Sequence, residues 1–278
     1  MTLEIETEGY VETPHLKLHY HELGEGEPLI LIHGGGPGAT GWSNYSKNFE
    51  ALAKNFRTIV IDLPGYGKSE KKSASGSLFE FLSDAVLALM DGLGIDKASF
   101  VGNSLGGGTS LKFCVRFPDR VNRLVLMGPA GSLPMFTPVS EGGRHMFAYY
   151  NGTGPSVQKL KNFIEYMVYD MSQITDELLQ QRYEASIDPA VIANPPLSQM
   201  LKRHPADDLW RDRLSDLSHR TLLIWGREDR TVTLDSSFVL LRTLPNAQLH
   251  VFPNCGHWAQ WERPDEFNSL VTDFLLRP

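Results

Sequence analysis

Two cysteines in 278 residues are too few for a disulfide framework or a cysteine-based zinc cage, so Cys114 and Cys255 read as reduced packing residues, and no cofactor or metal is expected. Basic charge is also short: 26 Lys and Arg against 33 Asp and Glu leave a net charge of -7, no field for a polyanion, and so no nucleic-acid partner. No apolar run reaches the length of a membrane span. Met1 to Thr7 lacks both the basic start and the apolar core of an export signal, so a soluble, cytoplasmic protein with no membrane partner is the expectation. Internal repeats and low-complexity tracts are missing. What is present, 41% hydrophobic residues at a length common for one α/β domain, suffices for a large single core.

The order of segments predicts a mostly parallel sheet. Up to Glu22, Leu16, Leu18 and Tyr20 alternate with Lys17, His19 and His21, which suits an antiparallel edge hairpin. Continuous apolar runs at 28–32, 58–62, 123–127, 221–225 and 248–252, with the strand that runs from Phe100 into the Ser104 turn, suit strands covered on both faces, and helical spacing separates them. That alternation predicts an α/β fold with helices on both faces. Lys68 to Lys72 reads as a solvated loop. Between 131 and 208 the strand-like runs stop, and amphipathic stretches dense in Met135, Phe136, Met146, Phe147, Tyr149, Tyr150, Phe163, Tyr166, Met167 and Tyr169 replace them. The division expected is a core of 1–130 and 209–278 with a helical lid, 131–208, whose apolar underside would suit an apolar ligand.

The chemistry centres on Gly102-Asn103-Ser104-Leu105-Gly106, which follows an apolar strand and opens a helix. This G-x-S-x-G pattern is the nucleophile elbow, a sharp turn that lifts a hydroxyl above a sheet edge, with glycines where a Cβ would collide. A serine needs a base, and the base needs an acid to hold its tautomer. Strand C-termini share one edge of a parallel sheet, and two loops there supply the partners: Asp229 after Trp225 and His257 after Phe252. Glu228 competes for the acid role. The order Ser104, Asp229, His257 is that of α/β-hydrolases, and no acid follows Met127 to offer another placement.

The loop His33-Gly34-Gly35-Gly36-Pro37-Gly38-Ala39 admits a rival reading, a dinucleotide fingerprint with Asp62 as ribose ligand. Pro37 and a helix that starts several residues later, near Ser43, oppose it. As a hydrolase loop it supplies an oxyanion hole, the N–H of Gly35 with that of Leu105.

His33 to Ala39 with Trp42-Ser43-Asn44-Tyr45, Gly102 to Gly107, and Cys255-Gly256-His257-Trp258-Ala259-Gln260-Trp261 resemble the meta-cleavage product hydrolases, α/β-hydrolases that cleave ring-fission products of aromatic compounds, over nearly the whole chain. The resemblance implies an α/β-hydrolase fold and hydrolysis of a carbon–carbon bond in 2-hydroxy-6-oxohexa-2,4-dienoates, giving 2-hydroxypenta-2,4-dienoate and a carboxylic acid. It implies Arg182 as the cation for the dienoate end, with Asn44, Asn103, Ser172 and Trp258 around it and Gly35 and Gly36 near the carbonyl. A homo-oligomer, at least a dimer, is implied as well. The stretch from Leu133 to Pro155 matches that family least. A carboxylesterase with the same triad, and a ligand receptor on this fold, are the alternatives.

Overall fold

The computed structural model describes residues 7–133, 137–202 and 204–277, so Met135 and Phe136 lie outside the described residues. An edge hairpin, β1 (Glu8–Glu12) and β2 (Lys17–Leu23), opens the chain. β3 (Pro28–Ile32) leads through the short helices α1 (Gly41–Tyr45) and α2 (Phe49–Ala53) to β4 (Arg57–Ile61), and α3 (Leu78–Gly92) precedes β5 (Ala98–Asn103). Next come α4 (Leu105–Arg116) and β6 (Val121–Met127). The helices α5 (Glu141–Ala148), α6 (Val157–Met167), α7 (Asp176–Ser186), α8 (Pro189–Ala193) and α9 (Leu197–Leu201) then intervene before β7 (Thr221–Gly226). The chain closes with α10 (Asp235–Thr243), β8 (Ala247–Phe252), α11 (Ala259–Glu262) and α12 (Pro264–Leu276). The strands make one sheet in the order β1-β2-β4-β3-β5-β6-β7-β8, antiparallel at the hairpin and parallel from β4 to β8.

The apolar runs become strands because both faces of the sheet are covered. Alternate residues feed opposite cores: Ile30, Ile32, Ile59, Ile61 and Phe100 join Leu82, Leu111 and Leu240 on one side. Leu29, Leu31, Val60 and Val101 join Phe49, Leu52, Phe267 and Val271 on the other. Among the described residues, no helix is long and apolar enough to cross a membrane. Both cysteines are free and buried, and burial pushes the Cys114 thiol up to about 12.

Two expectations need correction. The edge hairpin does not divide into apolar and wet faces, since Leu18 is buried and so are His19 and His21, which pack under Tyr10 and Trp42. Nor is the segment 68–72 simply solvated. Ser69 is buried and donates to Asp62 O, Lys72 Nζ reaches His15 O at 2.8 Å, and Lys71 Nζ donates to the carbonyls of Gly67 and Ser69. Backbone carbonyls left open by the turn recruit these ammonium groups.

The helices between β6 and β7 form a cluster of their own, in which Met146, Phe163, Ile164, Met167 and Leu178 meet Trp258 and Trp261. Glu262 ties that layer to the sheet. It is buried, and its carboxylate accepts Tyr169 N–H at 2.7 Å and Gly256 N–H at 2.9 Å. Burial raises its pKa to about 7, although those same N–H groups pull the other way. A folded-state pKa raised above the unfolded value near 4.5 means that the folded chain holds its proton longer. The resulting stability is complete below the unfolded value and is lost as pH climbs through the folded one. Glu262→Gln, which cannot titrate, therefore fixes the reference. The stability advantage of wild type over this variant in urea unfolding is expected to shrink by as much as ~3 kcal/mol from about pH 4.5 to above pH 7. A constant difference across that window would show that the carboxyl titrates as it does in the unfolded chain.

Candidate active site

Ser104 sits where β5 breaks into α4, with φ 52° and ψ -111°. Non-glycine residues avoid this region at a cost of roughly 1–3 kcal/mol, so something must hold it there. Three backbone bonds do: Ser104 N–H donates to Met127 O at 2.8 Å, and its carbonyl accepts from Gly108 at 3.0 Å and Ala130 at 2.9 Å. The elbow also needs its glycines. A Cβ on Gly106 would lie 2.1 Å from Ile32 O, and one on Gly102 would lie 2.4 Å from Gly106 O. Although Ser104 occupies the N-cap of α4, its side chain makes no capping bond, so the hydroxyl is left for chemistry.

The acid and the base come from the loops after β7 and β8. Asp229 Oδ2 lies 2.7 Å from His257 Nδ1, both side chains are buried, and Asp229 Oδ1 accepts the N–H groups of Thr231 and Val232 at 2.8 and 2.9 Å. With Oδ1 taken up by two backbone donors and Oδ2 turned to the ring, the carboxylate fixes Nδ1 as the protonated nitrogen. His257 Nε2 is buried and without a partner among the described residues. Glu228, the competing acid, turns to Arg227 and to Cys255 N–H at 3.0 Å instead. Gly128, at φ 45°, makes room for the pair, because a Cβ there would lie 2.8 Å from His257 Cε1. In the sequence this requirement shows only as the glycine directly after β6.

Ser104, His257, Asn103, Asn44, Gly35, Gly36, Arg182 and Trp258 line one narrow cavity. Its apolar wall comes from Met146, Phe163 and Met167. A wider groove bears the acidic Asp170, Glu262, Asp265 and Glu266 and shares no residue with it. That groove is the wrong sign for an anion. Gly35 lies against Leu105, since a Cβ on Gly35 would be 3.2 Å from Leu105 Cβ. Tyr66 Oη donates to Gly35 O at 3.0 Å and fixes the peptide. Neutral His33 stiffens the same loop: one ring nitrogen meets Gly34 O at 2.7 Å and the other accepts Leu63 N–H at 2.9 Å, while burial lowers its pKa. Asn44 spends its amide within the loop, on Thr40 O and Gly34 N–H, whereas Asn103 bonds His257 O at 3.2 Å and keeps Oδ1 unpartnered.

Arg182 is buried to 1% exposure on α7, and its Nε and Nη2 donate to Pro37 O at 3.2 and 2.8 Å. The guanidinium lies 4.8 Å from the Trp258 ring, and Nη1 has no partner among the described residues. No carboxylate among those residues pairs with it, and burial pushes its pKa down to about 10, still charged near neutrality. Ser172 does not join the site. It is exposed in the 3₁₀ turn Met171–Gln173, with its hydroxyl on Asp170 Oδ2 at 2.8 Å, the local bond that Asp at an N-cap commonly offers.

The model of the alpha/beta hydrolase fold family matches residues 27–264. The chain is similar to 2-hydroxy-6-oxo-6-phenylhexa-2,4-dienoate hydrolase of Burkholderia cepacia, 44% identical over 93% of this chain and 91% of the relative. It is also similar to 2-hydroxy-6-oxononadienedioate/2-hydroxy-6-oxononatrienedioate hydrolase of Escherichia coli, 38% identical over 95% and 92%. Among solved structures, a meta-cleavage product hydrolase from Pseudomonas fluorescens superposes with a TM-score of 0.85 at 38% identity, covering 97% of this chain and 98% of that one. The chain belongs to the α/β-hydrolase fold family and, within it, to the meta-cleavage product hydrolases.

Proposed function

We propose that this chain hydrolyses a carbon–carbon bond in 2-hydroxy-6-oxohexa-2,4-dienoates bearing a 6-aryl or 6-alkyl group, yielding 2-hydroxypenta-2,4-dienoate and a carboxylic acid in the degradation of aromatic compounds. The observation that carries this reading is Arg182, a buried cation with an N–H that finds no partner and no anion among the described residues. An uncompensated buried charge costs several kcal/mol, and the carboxylate of a dienoate would relieve it. An ester hydrolase has no use for such a group. The names of the relatives support the same substrate class.

In this reading residues 131–208 form the lid, contributing Arg182 together with the apolar wall of Met146, Phe163 and Met167 that receives the C6 substituent. The dienoate end lies toward Arg182 and Trp258, with Asn103 and Asn44 beside it, and the C6 carbonyl toward the N–H groups of Gly35 and Leu105, next to Gly36. His257 Nε2 takes the proton of the 2-hydroxyl and delivers it to C5, leaving ketones at C2 and C6 and a double bond between C3 and C4. The Ser104 hydroxyl, or a water, then adds to C6 with its proton passing to His257, whose imidazolium Asp229 stabilises. The oxyanion rests on Gly35 and Leu105, where one such donor is worth about two to three orders of magnitude in rate. On collapse the C5–C6 bond breaks, and its electron pair becomes the C4–C5 double bond of the dienolate. Protonation gives the hydroxypentadienoate; where Ser104 attacked, a water activated by His257 then hydrolyses the acyl–Ser104 ester and restores the hydroxyl, and on either route the water consumed ends in the carboxylic acid.

Two experiments check this. Arg182→Gln is expected to lower kcat/KM for a 6-phenyl dienoate, followed by bleaching of its yellow absorbance, by roughly a hundredfold or more. Cleavage of a p-nitrophenyl ester by the same variant should stay within a few-fold of wild type, and equal loss of both activities would remove the dienoate role. Ser104→Ala is expected to cut dienoate turnover by at least about a thousandfold while the substrate still binds and perturbs the spectrum. Retention of more than about a tenth of wild-type turnover would take the elbow out of the reaction.

A further inference from the structure

The edge hairpin carries a cluster that the hydrolytic site does not use. Strand register sets Glu8 on β1 directly opposite His21 on β2, and His19, two residues back, shares the face of His21. The two imidazoles meet edge to face with ring centroids 5.0 Å apart. One donor atom from each of Glu8, His19 and His21 lies within 4.8 Å of the others. Glu8 Oε2 stands 3.5 Å from His19 Nε2. Two ligands on a tetrahedral zinc with bonds near 2.0–2.1 Å stand roughly 3.3 Å apart.

What makes this more than a chance meeting is the state of His19, which is 1% exposed. Its Nδ1 lies 2.8 Å from Asp62 Oδ2, and the same carboxylate accepts Gly41 N–H at 2.7 Å and Lys68 N–H at 2.9 Å. A carboxylate collecting three donors is an acceptor toward the imidazole, so Nδ1 carries the proton and Nε2 presents its lone pair. That lone pair has no hydrogen-bond partner among the described residues and faces Glu8 and His21. A carboxylate holding the far nitrogen of a ligating histidine is the usual outer support of a metal site.

We propose that Glu8, His19 and His21 form a binding site for a divalent transition-metal ion of the zinc type, with Asp62 as the supporting carboxylate. Two imidazoles and one carboxylate suit such an ion rather than magnesium or calcium, which take mostly oxygen ligands. Lys68 Nζ lies 2.8 and 2.6 Å from the two oxygens of Glu8, and each oxygen has a second lone pair, so Glu8 ligates the ion while keeping the ammonium. The ion would fasten the edge hairpin to β4 through Asp62. The reading that counted cysteines had no view of this site, because its ligands lie on two strands and none is a thiol.

The test is zinc titration of the untagged full chain, stripped with chelator, by calorimetry and by thermal unfolding. One equivalent is expected to bind with micromolar or tighter affinity and to raise Tm by about 5 °C at a hundredfold excess over the dissociation constant. Magnesium should give neither signal. Glu8→Gln and His21→Ala, each verified as folded by circular dichroism, should each weaken zinc at least tenfold, and His257→Ala should bind as wild type. Absence of saturable zinc binding, wild-type affinity in either hairpin variant, or loss of binding in His257→Ala would each overturn the site.

Discussion

The left-handed backbone at Ser104 is the constraint on which the rest of the molecule leans. A β-strand cannot pass directly into a helix with a serine side chain standing above the sheet unless that residue takes a conformation its Cβ resists. A hydrogen bond to Met127 O and others from the N–H groups of Gly108 and Ala130 hold it, and these reach into β6 and the loop beyond. Gly106 must let the carbonyl of Ile32 approach, which fixes β3 and its glycine loop beside the elbow. The same contact brings Gly35 against Leu105, so one steric requirement places Ser104 beside the two backbone N–H groups proposed to hold the oxyanion. Rigidity of this kind is what lets aligned dipoles act without reorganising during reaction.

A second constraint is electrostatic. The fold buries the Arg182 guanidinium without an acid among the described residues and keeps it oriented with Pro37 O and the Trp258 ring. Because α7 carries Arg182 and the 33–39 loop carries Pro37, closing this pair also joins the helical layer to the sheet. Glu262 and the bond from His257 N–H to Met167 O at 2.5 Å make the same junction from the other side. The cavity thus lies between two layers stitched at both ends.

Much of this was legible before any coordinates. Continuous apolar runs marked the buried strands, because only a sheet covered on both faces tolerates them. The elbow was legible because Gly102 and Gly106 bracket Ser104 at the spacing the turn demands. Ser172 misled, since a residue near a matching segment says nothing of which way its side chain turns, and Asp170 captures it locally. Burial of His19 and His21 was hidden because alternation on an edge strand assumes one wet face, and Trp42 and Tyr10 cover it.

The sequence by itself determined the order of strands and helices, the strained serine, and which residue types could serve as acid and base, for these follow from local spacing and from steric rules acting over a few residues. Tertiary structure alone turned Glu228 toward Arg227 and Cys255, left Arg182 without an anion among the described residues, and gathered Glu8, His19, His21 and Asp62 from three separate segments. Each of those outcomes depends on distances across the fold, and the energy of a charge or a lone pair is set by what surrounds it in space and not by its neighbours along the chain.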